Sequence, residues 1–136
     1  MIEAIVDAGV LVAALNKRET HHDWAVEQLD LIRPPLLTCE PVVTEAFFLL
    51  SQSSLAIQGL WRLIRKGNVV IRFSLDEERD VIQRLIMKYA DHPMSLADSC
   101  LVRMSELFPE HFVFTLDSDF RTYRRFGRRV VPLITP

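Results

Sequence analysis

Cysteine is scarce: Cys39 and Cys100 are the only two in 136 residues, with no CxxC spacing. A disulfide framework and a thiolate zinc site are thereby disfavoured, and two free, largely buried thiols in a reducing cytoplasm are expected. Glycine is nearly as rare, at four residues. No phosphate-binding Gly-rich loop, dinucleotide fingerprint or G-x-S-x-G motif occurs, so cradling of a nucleotide by backbone amides is not expected. Long apolar runs are missing too. The longest uncharged stretch, Ala46–Trp61, is broken by Ser-Gln-Ser-Ser and a glycine, and the apolar Ala8–Leu15 follows an aspartate with no basic segment before it. Neither a membrane span nor a signal peptide is expected. No lysine follows Lys88, which disfavours a phosphatase or phosphotransfer domain that pairs a nucleophilic Asp with a late Lys.

What is present describes a globular chain. Hydrophobic residues make up 49% and charged residues 25%, and the length suits one domain over 1–136 with a core of its own. The net charge of −2 is unevenly spread. Five arginines (Arg121, Arg124, Arg125, Arg128, Arg129) and no acid lie from position 121 onward, leaving −7 on the first 120 residues. An acidic body with a basic C-terminal strip can hold a cation in one place and phosphate in another.

Periodicity predicts alternating strands and helices. Ile2–Val6, Leu36–Thr38, Val69–Phe73 and His111–Leu116 read as short strands. Helices are predicted from Asp7 to about Asn16, over His21–Ile32, from Pro41 to about Leu50, over Leu55–Lys66, Leu75–Tyr89 and Ser95–Leu107. Asp119–Phe126 reads as a further short helix, and Val130–Val131 as a last strand. This order implies an α/β chain, a three-layer α/β/α sandwich around a mainly parallel sheet. In such sheets the functional crevice lies beyond the carboxyl ends of the strands.

Four acids stand out against apolar surroundings. Asp7 closes the run Ile2–Val6; Glu45 is the only ionisable side chain from Pro41 to Trp61; Asp98 interrupts Leu96–Val102; Asp117 follows Phe112–Leu116. An ionised carboxylate among apolar residues is costly unless paired or metal-bound. Asp7 also suits a helix N-cap, and Asp117 or Asp119 a plain turn. Glu45 has no basic partner four residues away, since Pro41 and Leu49 stand there. Ser95 can cap its helix without help from Asp98. Taken together, the four suit Mg²⁺ or Mn²⁺, which prefer oxygen ligands.

The frame Ile5-Val6-Asp7, Val10–Asn16, Glu45, Ser95-Leu96-Ala97-Asp98 and Phe114-Thr115-Leu116-Asp117-Ser118-Asp119-Phe120 resembles the PIN domain family, and within it the VapC-type toxins of bacterial toxin–antitoxin modules. The likeness spans essentially the whole chain. It implies a metal-dependent endoribonuclease in which Asp7, Glu45, Asp98 and Asp117 form the acidic set. Asp7, Asp98 and Asp117 would bind Mg²⁺ or Mn²⁺, and Glu45 would bind metal or orient water. Asp119 competes with Asp117 for the fourth place; Asp117 is favoured because it follows Thr115, which itself can orient the acid or a water. Where many relatives carry Ser or Thr after the first Asp, this chain has Ala8 and Gly9. The resemblance further implies an RNA substrate, an antitoxin partner and a homodimer.

The strip containing Arg121, Arg124 and Arg125, with Tyr123 and Phe126 interleaved, reads as a surface for RNA phosphates and bases. A solvated face or internal pairing reads equally well. Arg62, Arg65, Lys66 and Arg72 form a second, weaker candidate. The histidines show no ligand spacing, and Phe47-Phe48 suit the core or a subunit interface. An alternative from another class is a fold kept only for binding RNA or protein.

Overall fold

A computed structural model describes all 136 residues. The wholly apolar β1 (Ala4–Val6) has no exposed surface on either side, as a central parallel strand requires. Helix α1 (Ala8–Leu15) follows at once, then α2 (His22–Leu29), β2 (Leu36–Thr38), α3 (Glu40–Leu49), α4 (Ser54–Arg65) and β3 (Val69–Ile71). The chain continues through α5 (Leu75–Lys88), α6 (Leu96–Leu107), β4 (Phe112–Phe114), a 3₁₀ turn (Ser118–Arg121), β5 (Arg124–Arg125), β6 (Arg129–Val130) and β7 (Leu133–Ile134). Side chains of Ser53, Ser74 and Ser95 cap α4, α5 and α6 by accepting from backbone N–H groups three residues on. Gly67, at φ +77°, supplies the left-handed residue that ends α4.

Five strands form one parallel sheet in the order β3-β2-β1-β4-β7. From β1 the chain steps outward through β2 to β3, then returns across the sheet to place β4 on the other flank of β1. With right-handed crossovers, that reversal puts α1–α4 on one face and α5–α6 on the other. The packing agrees: α1 meets α2, α3 and α4, while α6 lies on α5, β1 and β4. The three-layer sandwich is as expected. Its core includes Ile5, Val6, Leu11, Leu101, Met104 and Phe114, all fully buried; burying such a side chain contributes roughly 1.5–3 kcal/mol. The reversal of strand order lies between β1 and β4, and ligands of open parallel sheets bind beyond the strand ends at that place. No helix is long and apolar enough to cross a membrane.

Cys39 and Cys100 are free and buried, as expected. Cys39 precedes α3 and Cys100 lies in α6; the neighbouring Cys100 thiol and burial push the Cys39 thiol up.

The C-terminal region departs from expectation. The helix predicted over Asp119–Phe126 stops after one 3₁₀ turn, and Arg124–Arg125 instead pair antiparallel with Arg129–Val130. Phe126 (φ +52°) and Gly127 (φ +85°) are both left-handed, which turns a hairpin and cannot continue a helix. The predicted last strand is therefore split: Val130 ends β6, and the sheet gains β7 from Leu133–Ile134, which pair with Val113 and Phe114. Phe47 is half-buried and packs on Trp61 at 4.9 Å, whereas Phe48 is 76% exposed and lies outside the core.

Candidate active site

Asp7 follows the last residue of β1, where the ladder pairs Val6 with Phe114, and its N–H donates to Phe114 O at 3.0 Å. The next residue on β4's side is Thr115, whose hydroxyl donates to Asp7 Oδ2 at 2.7 Å. Asp7 Oδ1 accepts from the N–H of Ala8 at 2.7 Å, so the aspartate also caps α1. It is 8% exposed. Burial pushes its carboxyl up to about 6, against the two donors that favour the charge; the negative Asp98 and Glu45 push the same way as burial.

Asp98 sits in the first turn of α6, positioned by the Ser95 cap. Its Oδ2 accepts the hydroxyl of Tyr123 at 3.0 Å. Burial raises its pKa, with the charge of Asp117 adding to the effect and the Tyr123 hydrogen bond opposing it. The phenol of Tyr123 is in turn pushed up by its own burial and by Asp98.

Asp117 and Asp119 part company in the fold. The N–H of Asp117 donates to Thr115 Oγ1 at 3.0 Å, and Asp117 Oδ1 accepts from the N–H of Asp119 at 2.9 Å, capping the 3₁₀ turn. Asp117 lines the same cleft as Asp7, Glu45 and Asp98. Asp119 does not; its Oδ1 lies 3.3 Å from His92 Nε2, a half-exposed pair. Glu45 extends from the middle of α3 and is exposed, and Glu40 from the start of that helix joins it on the cleft wall.

The cleft encloses about 1040 Å³, and five of its 14 lining residues are carboxylates: Asp7, Glu40, Glu45, Asp98 and Asp117. No lysine, arginine or histidine lines it. Gly9 contributes bare backbone to the wall. Every charged side chain on the wall is thus a carboxylate, the donor chemistry that hard divalent cations use. No three acidic, histidine or cysteine side chains stand close enough to form a ready-made metal cage. Mg²⁺ needs none, since it binds through one or two carboxylates and keeps several waters. The residues fit a hydrated ion and not a closed, dehydrated one.

The arginine strip does not form one surface. Arg124 gives Nη1 to the carbonyls of Arg121, Thr122 and Tyr123. Arg125 gives Nη1 to the carbonyls of Ser105 (2.8 Å) and Pro109 (3.2 Å), closing the end of α6, and its Nε is buried with no partner. Arg128 and Arg129 are exposed, but β7 runs parallel to β4 and starts beside Val113, so the hairpin lies toward the amino edge of the sheet, away from the acids. Arg121 is exposed and holds only a 3.4 Å contact to Pro136 O, near the carboxyl edge. Tyr123, read as an interleaved surface ring, is fully buried. Arg62, Arg65 and Lys66 line a separate shallow cleft with Gln58 and Trp61, at the far end of α4.

Sequence reasoning passed over Glu40, whose place at a helix start looks like ordinary capping charge, and the pairings of Tyr123 and His92.

These features can be set beside known proteins. A family model described as the PIN domain matches residues 4–125. Among solved structures, the chain resembles VapC20 of Mycobacterium tuberculosis, described as a sarcin–ricin loop cleaving toxin. The TM-score is 0.71 at 19% sequence identity, over 90% of this chain and 94% of that one. No curated protein matches. With residues 4–125 matched, and the parallel sheet and its acidic edge in place, the chain belongs to the PIN domain family.

Proposed function

We propose that this chain is a Mg²⁺- or Mn²⁺-dependent endoribonuclease that hydrolyses RNA phosphodiester bonds, the toxin half of a toxin–antitoxin pair acting in the cytoplasm. One observation carries the reading. Carboxylates from four separate segments meet in a cleft at the strand-order reversal, and no basic side chain lines it to balance them. Burial above all, with the repulsion of neighbouring acids adding to it, makes Asp7 and Asp98 hold their protons more tightly than usual.

Asp7, Asp98 and Asp117 would hold the cation directly or through its waters, with Glu45 beside it. A divalent ion held there would supply Lewis acidity for hydrolysis by water, which would leave 5′-phosphate and 3′-hydroxyl ends. The protein's own part is orientation. Thr115 fixes Asp7 and, through the Asp117 N–H, the turn that carries Asp117. Glu45, exposed and without a fixed partner among the neighbouring side chains, is free to orient a water. Arg121, at the carboxyl edge, is the strip's best-placed contact for an RNA phosphate; Arg124 and Arg125 act there through the shape they give the chain.

An antitoxin presenting Arg or Lys would satisfy the same anionic cleft and block it. A homodimer is part of the proposal, with exposed Phe48, Leu49 and Leu55 available for burial. The absence of a preformed cage of three ligands favours one second reading, a PIN fold that binds RNA or protein with little catalysis. Incubation with a panel of structured RNAs, with and without Mg²⁺ or Mn²⁺, followed by end mapping, separates the two. Metal-dependent cuts with 5′-phosphate ends that vanish in Asp98→Asn support the nuclease. RNA retention without cuts supports the binding module.

A further inference from the structure

Asp98 reaches the cleft from a helix turn, and its side chain has two rotatable bonds with which to miss. Tyr123 limits that freedom. Its hydroxyl donates to Asp98 Oδ2 at 3.0 Å across 25 residues of chain. The ring is fully buried and meets three others edge-on: Tyr89 at 5.2 Å, Phe120 at 5.3 Å and His92 at 6.1 Å between centroids. Tyr89 is anchored in turn, its hydroxyl accepting the Arg124 N–H at 2.8 Å. A ring packed in this way cannot swing, so its hydroxyl is a donor at a fixed point.

The hydroxyl itself calls for a reason. A buried phenol is costly unless its polar end finds a partner, and phenylalanine would fill the same aromatic pocket without that cost. The partner found is a carboxylate of the cleft. We propose that Tyr123 is a positioning residue, committing one oxygen of Asp98 so that the carboxylate is presented to the cleft in a single orientation; this rests on the reading of Asp98 as a cation ligand. Groups that orient a metal ligand from behind are commonly worth 10- to 100-fold in metal affinity or activity.

Tyr89 and Tyr123 are the only tyrosines in the chain, so labelling with 3-fluorotyrosine yields two ¹⁹F resonances, and Tyr89→Phe assigns them. The Tyr123 resonance should move saturably as Mg²⁺ is added and stay still in Asp98→Asn. In parallel, Tyr123→Phe should weaken Mn²⁺ binding about tenfold and lower kcat on RNA, with KM changed less than about twofold. If Tyr123→Phe binds Mn²⁺ and cuts RNA like the parent while Asp98→Asn does neither, the positioning role is overturned and the site stands. If Asp98→Asn retains both, the cation site itself is wrong and the proposal falls with it. Should Tyr123→Phe not fold, the Mg²⁺-dependent ¹⁹F shift in the otherwise native chain still decides: its absence overturns the role.

Discussion

Thr115 donates its hydroxyl to Asp7 Oδ2 at 2.7 Å across 108 residues of sequence, and accepts the Asp117 N–H with the same oxygen. One buried atom thus fastens the ends of β1 and β4 at the place where the acids gather. Thr115→Val keeps the shape and removes both bonds, leaving a buried carboxylate oxygen and an N–H without partners. The cost should be about 1–3 kcal/mol, with cleavage reduced at least tenfold. Thr115→Ser should recover most of both. Chemical denaturation and initial rates check this, and a valine variant as stable and active as the parent would contradict it.

Asp7 makes the metal-free protein sensitive to pH in an unusual sense. Its carboxyl titrates near 6 in the fold and near 3.8 when unfolded, so between these values the folded state holds more protons. Stability therefore falls as pH rises from about 4 to about 6, by about 3 kcal/mol from this group, and stays lower above that. A bound cation should offset the loss. Melting curves of the parent and of Asp7→Asn, without metal, should diverge across this window, the parent losing stability relative to the variant. Parallel curves would show that Asp7 does not carry the effect.

The two neighbouring aspartates should separate cleanly. Asp117 lines the cleft, whereas Asp119 pairs with His92 outside it. Asp117→Asn should cut the rate at least 100-fold, since asparagine preserves the turn's cap but not the charge. Asp119→Asn should stay within about threefold. Single-turnover cleavage measures both, and the opposite order would transfer the fourth acidic position to Asp119.

Arg121 and Arg125 should behave differently despite being four residues apart. Arg125 closes the end of α6 through two carbonyls, so Arg125→Ala should cost about 1–3 kcal/mol of stability. Arg121 is exposed, so Arg121→Ala should leave stability within about 0.5 kcal/mol. It should instead weaken RNA binding and flatten its salt dependence by about 0.7 in log–log slope, one phosphate contact's worth. Anisotropy at several salt concentrations, in the Asp98→Asn background, distinguishes them.

Asp7, Asp98 and Asp117 were legible in the sequence because a charge inside an apolar run is costly wherever the run is buried, and cost implies a reason; Glu45 stood out by the same rule, although it and its neighbours Phe48 and Leu49 are exposed. The order of strands and helices was legible for a related cause: each run is short, bounded by Pro, Gly or a capping Ser, and carries a single period. The segment from Asp119 onward was not. Phe120 and Tyr123, three apart and both buried, carry a helical spacing, yet the left-handed pair Phe126-Gly127 turns the chain into a hairpin. Two-residue strands such as Leu133–Ile134 have no period to read; their place comes from pairing with β4. The arginines show the same limit. Their charge suggested a phosphate surface, but Arg124 and Arg125 are spent on carbonyls that only the folded chain brings near.

The central claim, that the four carboxylates meet around one kind of divalent cation, is tested most directly by calorimetric titration of Mn²⁺ into the purified chain and into Asp98→Asn at pH 7. Saturable binding by the parent, weakened at least tenfold in the variant, is the predicted result. Superimposable isotherms, or no saturable binding by the parent up to millimolar Mn²⁺, would contradict it.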